Sequence, residues 1–246
     1  MVLARDERVW SMKIGVPREI KNHEYRVAIT PAGVMELTRH GHQVFIEHDA
    51  GVGSSISNDE YVAAGATILP TADDVWNTGE MIMKVKEPIS DEYHRMRDGQ
   101  LLFTYLHLAA EQKCTDALLK AGVTGVAYET VELPDRSLPL LAPMSEVAGR
   151  LAPQVGAYSL MRANGGRGAL LGGVPGVPPA KVVVLGGGVS GLHAAQIAAG
   201  MGADVTILDL NISRLRQIDM AYHGRIKTRM SNAYAIEEEC LAADLV

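Results

Sequence analysis

The chain has little cysteine. Cys114 and Cys240 stand far apart and in no paired spacing, which argues against a disulfide framework and fits a reducing compartment. It has few aromatics, 5% of residues. It has no long apolar run: the most apolar stretch surrounds a glycine cluster and is broken by Gly, His and Asp, which excludes a membrane span. The opening "MVLARDERVWS" lacks an apolar core and a small-residue cleavage site, so no signal peptide is read there. Residues 1–11 are expected to be an N-terminal extension and the chain cytoplasmic. Positive charge is not in excess: the net charge is -6, which argues against nucleic-acid partners. The Gly-Lys-Ser/Thr of a Walker phosphate loop is missing, as are internal repeats. His40 and His42 have no third and fourth ligand at useful spacing. No metal site is expected, and capping or solvent exposure is their reading.

What is present is 47% hydrophobic residues, dominated by Ala, Val and Leu beside abundant Gly, a balance that suits α/β layers. "KIGVPRE" (13–19), "HQVFIEH" (42–48), "EMIMKVKEP" (80–88) and "TGVAYETV" (124–131) read as strands. "QLLFTYLHLA" (100–109) reads as a strand buried on both faces. Between them, 30–41, 58–66, 71–79 and 110–122 read as helices, with Thr30 as N-cap, Pro31 at the first helical position and Gly41 as the stop. This alternation argues for a parallel sheet built from right-handed crossovers. Three prolines in "ELPDRSLPLLAP" (132–143) break the rhythm and mark a domain boundary. After it comes a long helix, N-capped by Ser145 and ending at Gly165, which Pro153 should kink or split. The Gly/Pro-rich 165–179 reads as a flexible connector.

"KVVVLGGGVSGLHAAQIAAGMGADVTILD" (181–209) carries G-x-G-x-x-G at Gly186, Gly188 and Gly191, between a strand and a helix. Each part has a physical duty. Gly186 permits the tight turn, Gly188 lets a pyrophosphate approach the backbone, and Gly191 lets helix and strand pack closely. The helix N-terminus offers free N–H groups to the phosphates. Asp209 ends the second strand, where it would accept hydrogen bonds from the adenosine ribose and repel a 2′-phosphate, so NAD is favoured over NADP. Arg214 could attract a phosphate or flank the adenine. The fold class is α/β in two domains, each a parallel sheet with helices on both faces: a substrate domain over 12–139 and an incomplete Rossmann domain over 140–246.

Five stretches resemble alanine dehydrogenase, in the family shared with the transhydrogenase alpha subunit: "GVPREIKNHEYRVAITPAGV" (15–34), "MKVKEP" (83–88), "FTYLHLA" (103–109), "LAPMSEVAGRLA" (141–152) and "NGGRGALLGGVPGV" (164–177). The resemblance covers essentially 12–246. It implies oxidative deamination of L-alanine to pyruvate and ammonia with NAD, and the reverse reductive amination. Hydride leaves Cα, an imine forms and water attacks it. It implies Arg26 as the substrate-carboxylate anchor, Lys86 as a substrate-binding lysine and His107 as the acid/base. Read without it, Arg26 and Lys86 are solvated edge charges and His107 a core histidine. For NAD it adds Ser145, Val189, Ser190, Asp209, Arg214 and Ser231. It also implies a homo-oligomer, a hexamer. The chain ends on "DLV", which reads as the opening of a fourth strand. Since the family continues from there with a catalytic aspartate and the rest of the nicotinamide half, a truncated chain with weak or no turnover is expected. The alternatives are a transhydrogenase-like or saccharopine-type relative, or a catalytically dead nucleotide-binding or oligomer-building module.

Overall fold

The computed structural model describes residues 11–246. The expected extension over 1–11 lies, but for its last residue, outside them. The chain divides into two compact units, Met1–Leu138 and Pro139–Val246.

In the first unit the elements are β1 (Lys13–Val16), α1 (Pro31–Arg39), β2 (Gln43–Glu47), α2 (Asn58–Ala63), β3 (Thr67–Leu69), α3 (Ala72–Thr78), β4 (Met81–Met83), β5 (Leu101–Thr104), α4 (Gln112–Ala121) and β6 (Thr124–Ala127). The strands form one sheet in the order β3-β2-β1-β4-β5-β6, and every pair is parallel. The chain thus winds outward from β1 in one direction, returns to β4 and winds outward in the other. Local chemistry sets the helix starts. The Thr30 hydroxyl accepts from the Gly33 amide, with Pro31 leading α1. Ser57 and Glu60 close a capping box on α2. His40 forms the C-cap of α1, with Nδ1 2.8 Å from Glu36 O, as expected of it. Gly15 has a packing reason: a Cβ there would lie 2.9 Å from Val75 O and from Ile82 Cδ1, so α3 could not seat on β1. Val16, Ile46, Ile82 and Leu102 are fully buried, and burying each such side chain contributes about 1.5–3 kcal/mol.

Two expected strands are shorter than their apolar runs. β4 stops at Met83 and β5 at Thr104. Lys84 N and Tyr105 N still donate across to Phe103 O and Val85 O. Beyond them side-chain carboxylates take over the backbone amides: Glu19 accepts from Val85 N and Lys86 N, and Glu129 from Leu106 N and His107 N. Nor is β5 buried on both faces. Leu102 and Thr104 are buried, while Leu101 and Phe103 are half-buried.

In the second unit, α5 (Ala142–Ser159) precedes β7 (Lys181–Leu185), α6 (Val189–Gly200), β8 (Asp204–Asp209), α7 (Ile212–Tyr222), β9 (Ile226–Met230) and α8 (Ala233–Ala242). The sheet order is β7-β8-β9, all parallel. Leu245 forms a parallel bridge with Val182 on the free side of β7, and Val183 N donates to its carbonyl at 2.9 Å. The last residues thus pair in parallel with β7 on the side away from β8, and β7-β8-β9 wind as one half of a doubly wound nucleotide fold does.

Three expectations are corrected here. Ser145 is not the N-cap of α5: the helix starts at Ala142 with Leu141 in the cap position, because Pro143, its φ preset for a helix, serves in the first turn. Of the kink or split expected at Pro153, the split does not occur, and the helix ends at Ser159, short of the expected Gly165. An interior proline costs about 3 kcal/mol; here that is offset by packing, since Gly149, Pro153 and Gly156 form its buried face. Residues 165–179 are not a loose connector. Gly168 N donates to Leu160 O, Val174 and Val177 exchange backbone hydrogen bonds, Ala180 N donates to Leu171 O, and Leu171 is buried in the core.

Candidate functional site

Two clusters of polar side chains gather at C-terminal strand ends, one in each unit. In open α/β sheets the crevice for a ligand lies outside the carboxyl ends of the strands where the winding reverses. In the first unit that point lies between β1 and β4.

The loop after β1 supplies Glu19, Lys21, Glu24 and Arg26, and the exit of β4 supplies Lys84, Lys86 and Glu87. His107 follows three residues beyond the end of β5, with a left-handed φ of 48°. Arg26 is chelated by Glu24: Nε donates to Oε1 at 2.8 Å and Nη2 to Oε2 at 2.6 Å. These hydrogen bonds hold the Glu24 carboxyl below its ordinary range despite partial burial, and the charge of Lys86 adds to the effect. Arg26 therefore has its orientation fixed, and Lys86 is close enough to feel the same carboxylate. A cleft of about 540 Å³ opens here, lined by Arg18, Glu19, Glu24, Arg26, Asp49 and neighbouring apolar residues. Lys86 and His107 do not line it.

The two lysines of "KVKEP" separate by environment. Lys84 is 1% exposed and sits between Glu19 Oε2 at 3.1 Å and Glu92 Oε1 at 2.9 Å. Burial pushes the Glu19 carboxyl up, and Lys84 only partly counters it. Lys84 is thus consumed in a buried ion network whose loss of one partner would leave uncompensated charge. Lys86, half-buried, has no ion pair among the described residues, so its ammonium remains for a ligand.

His107 is held twice. Its backbone amide donates to Glu129 Oε1 at 2.7 Å, and its Nδ1 lies 3.1 Å from Glu87 Oε2. Glu87 is nearly buried, and its other oxygen accepts from Lys21 Nζ. Burial pushes the Glu87 carboxyl up, but hydrogen bonds from Lys21, from its own backbone and from His107 outweigh it, and the group ends below its ordinary range. Tyr105 links this group to the other: its ring lies 6.1 Å from His107 in a stacked arrangement, and its phenol feels the charge of Arg26. Arg26 and Lys86 thus act on one carboxylate, Glu24, while Tyr105 neighbours both Arg26 and the group of His107, Glu87 and Lys21. The intermediary groups, Glu19, Lys21, Glu24, Glu87, Tyr105 and Glu129, are not singled out by sequence reasoning. Their only sequence signal is the alternation of acids with cations in "REIKNHEYR" and "KVKEP".

In the second unit the glycine cluster forms the turn from β7 into α6. Gly186 has φ +103°, a conformation L side chains rarely adopt, and its amide donates to Leu208 O at 2.7 Å. A Cβ on Gly191 would collide with the Gly186 carbonyl, whereas one on Gly188 would meet no protein atom within 4 Å. Gly188 is the N-cap of α6, and no side chain caps the first amides of the helix, which begins with the exposed Val189 and Ser190. The Ser190 hydroxyl donates to Ser145 O at 2.7 Å. Asp209 accepts from Gly187 N at 2.6 Å and from Asn211 N at 2.7 Å. Arg214 Nε donates to Gly187 O at 2.5 Å, and Ser231 N donates to Asp209 O at 3.0 Å. All the second-unit residues expected to hold a cofactor therefore surround one turn, with Ser145 touching it through its carbonyl. Asn232, which N-caps α8, directly follows Ser231. Among the described residues no group of His, Cys, Asp and Glu could hold a metal, and no helix is long and apolar enough to cross a membrane.

The family model described as "Alanine dehydrogenase/PNT, N-terminal domain" matches residues 15–148, and "Alanine dehydrogenase/PNT, C-terminal domain" matches 152–246. The chain is similar to an alanine dehydrogenase of Mycolicibacterium smegmatis, 63% identical over 96% of this chain and 63% of that protein. Among solved structures it is similar to an L-alanine dehydrogenase, with a TM-score of 0.89 and 54% identity over 95% of this chain and 65% of that one. It is also similar to a transhydrogenase from Sinorhizobium meliloti, with a TM-score of 0.74 and 28% identity over 92% of this chain and 64% of that one. The chain spans 63% of the length of the curated relative it matches.

Proposed function

Because the chain belongs to the alanine dehydrogenase/PNT family, we propose that the whole protein interconverts L-alanine with pyruvate and ammonia, using NAD. The observation that carries this reading is the placement, at the C-terminal strand ends of the first sheet, of Arg26 chelated by Glu24, Lys86 within reach of the same carboxylate's charge, and His107 held by Glu87 and Glu129. A guanidinium whose plane is set by a chelating acid presents a fixed cation to a carboxylate in register. An ammonium without an ion pair beside it suits the carbonyl or carboxylate of pyruvate. A histidine with one nitrogen anchored can give and take a proton at the other.

The second unit fits a dinucleotide. The open space over Gly188 and the uncapped amides of α6 suit a diphosphate, and Asp209 suits the ribose hydroxyls. Arg214, engaged with the Gly187 carbonyl, is read as a brace of the loop rather than a phosphate ligand, which favours NAD over NADP. Val189, Ser190, Ser231 and Ser145 complete the rim. NAD, when bound, takes the hydride that leaves the substrate Cα. The chain's own part is to hold the carboxylate at Arg26, orient the substrate at Lys86 and move a proton at His107.

The transhydrogenase likeness is the weaker one at 28% identity. Self-association, as the hexamer the resemblance implies, is proposed on the exposed apolar stripe Val147, Leu151, Val155 and Tyr158 of α5. The test of function is L-alanine-dependent NADH formation by the whole protein, read by absorbance and lost in His107→Gln. Its absence in the unaltered protein sinks the reading.

A further inference from the structure

The imidazole of His107 has two nitrogens, and only one can work. Nδ1 lies 3.1 Å from Glu87 Oε2. Nε2 has no partner among the described residues, and the ring is half exposed, at 45% of its side chain. An ionised carboxylate only accepts hydrogen bonds. Glu87 is ionised near neutrality, because Lys21 Nζ donates to its other oxygen and its carboxyl lies below the ordinary range. The nitrogen facing it must then carry the proton.

We propose that Glu87, braced by Lys21, fixes the tautomer of His107: Nδ1 holds its hydrogen throughout, and Nε2 is the atom that accepts and returns the proton. Glu87 is a positioning residue, since it acts through the imidazole and does not meet the substrate. Two further constraints keep the ring aimed. Glu129 accepts the His107 amide at 2.7 Å, fixing the backbone in its left-handed turn, and Tyr105 stacks on the ring. With Nδ1 anchored, these leave the ring one orientation, which presents Nε2 outward. The same brace ties the loop carrying Arg26 to the histidine, because Lys21 lies on that loop. The role of Nε2 in catalysis rests on the alanine dehydrogenase reading, but the tautomer does not.

The experiment separates the two. Nitrogen-15 NMR of histidine-labelled protein, at a pH where the imidazole is neutral, reads which ring nitrogen bears hydrogen, and His107→Gln identifies the signal. The expected result is a protonated Nδ1 and a bare Nε2 in the unaltered chain. Glu87→Ala should move the population toward Nε2–H, and Glu87→Gln, whose amide can accept or donate, should give a mixture with the fold retained. A bare Nδ1 in the unaltered chain, or a pattern unmoved in both variants, overturns the proposal. In the whole protein, Glu87→Ala should lower kcat on the order of 10²-fold with KM changed far less, and Glu87→Gln should recover part of it. An unchanged kcat in Glu87→Ala overturns the catalytic half of the proposal. Absence of alanine turnover in the unaltered whole protein overturns the functional reading and leaves the tautomer assignment standing.

Discussion

The Gly187 amide donates to Asp209 Oδ2 at 2.6 Å, so the acid at the end of β8 fastens the glycine turn at the end of β7. One side chain thus shapes the loop and, in the proposed site, would also offer charge to a ribose. Asp209→Asn removes that charge and cannot reproduce both backbone contacts. Hydrogen bonds to charged groups contribute about 1.5–3 kcal/mol, so NADH affinity measured by calorimetry is expected to fall roughly 10- to 150-fold. Unchanged affinity would remove Asp209 from the nucleotide site.

Gly188 and Gly191 should respond differently to alanine. At Gly191 a Cβ would run into the Gly186 carbonyl, so Gly191→Ala should lower both stability, by about 1–3 kcal/mol, and NADH binding. At Gly188 the φ of -66° suits alanine and the space is open. Gly188→Ala should keep its urea midpoint and still lose affinity. Retained binding there would mean that no diphosphate uses that space.

Arg26→Lys is expected to raise KM for pyruvate about tenfold or more, with a smaller effect on kcat. A lysine cannot both chelate Glu24 and present a planar fork to the substrate. Steady-state kinetics of the whole protein against pyruvate concentration reads this, and a loss confined to kcat would contradict an anchoring role.

Acid stability should depend on Glu87. Its folded-state pKa is depressed, so its contribution is present above the unfolded value and lost as pH falls through the folded one. Glu24 acts in the same direction. Glu19, whose pKa is raised, acts in the opposite one, because the folded state takes up its proton first. The stability gap between the unaltered chain and Glu87→Gln, from urea unfolding, should therefore narrow as pH is lowered from about 5 to about 3. A constant gap would show that Glu87 is not held ionised by its partners.

Tyr61 is fully buried, and its hydroxyl donates to Ile29 O at 2.7 Å. Burial pushes its pKa up to about 12. Tyr61→Phe leaves that carbonyl short of a donor and should cost about 1 kcal/mol, up to 3 if no water replaces the hydroxyl. Equilibrium unfolding measures it.

Much of this was legible in the order of the residues. Period and punctuation give the alternation of strands and helices, since Thr30 followed by Pro31 can serve little else than a helix start. The glycine spacing with Asp209 gives the turn, because backbone room and a terminal acid are local requirements. What was not legible depends on partners distant in the chain. Nothing local in "KVKEP" tells that Lys84 is buried between Glu19 and Glu92 while Lys86 is not. Nothing in "YLHLA" tells that Glu129 takes its amides beyond the end of the strand. Ser145 misled because a helix-starting serine and a helix-starting proline stood two residues apart, and the proline prevailed.

The bridge from Leu245 to β7 has a consequence for how the second unit assembles. Lys181 and Asp244, which join the same pair of edges, stand 63 residues apart in the chain. As the polypeptide emerges from the ribosome, β7 can zip to β8 early, but its other border stays unsatisfied until that distant partner arrives. Through that interval a row of valines with open amides is offered to any passing strand, and the vulnerable moment for this unit runs from the emergence of β7 to that of Leu245.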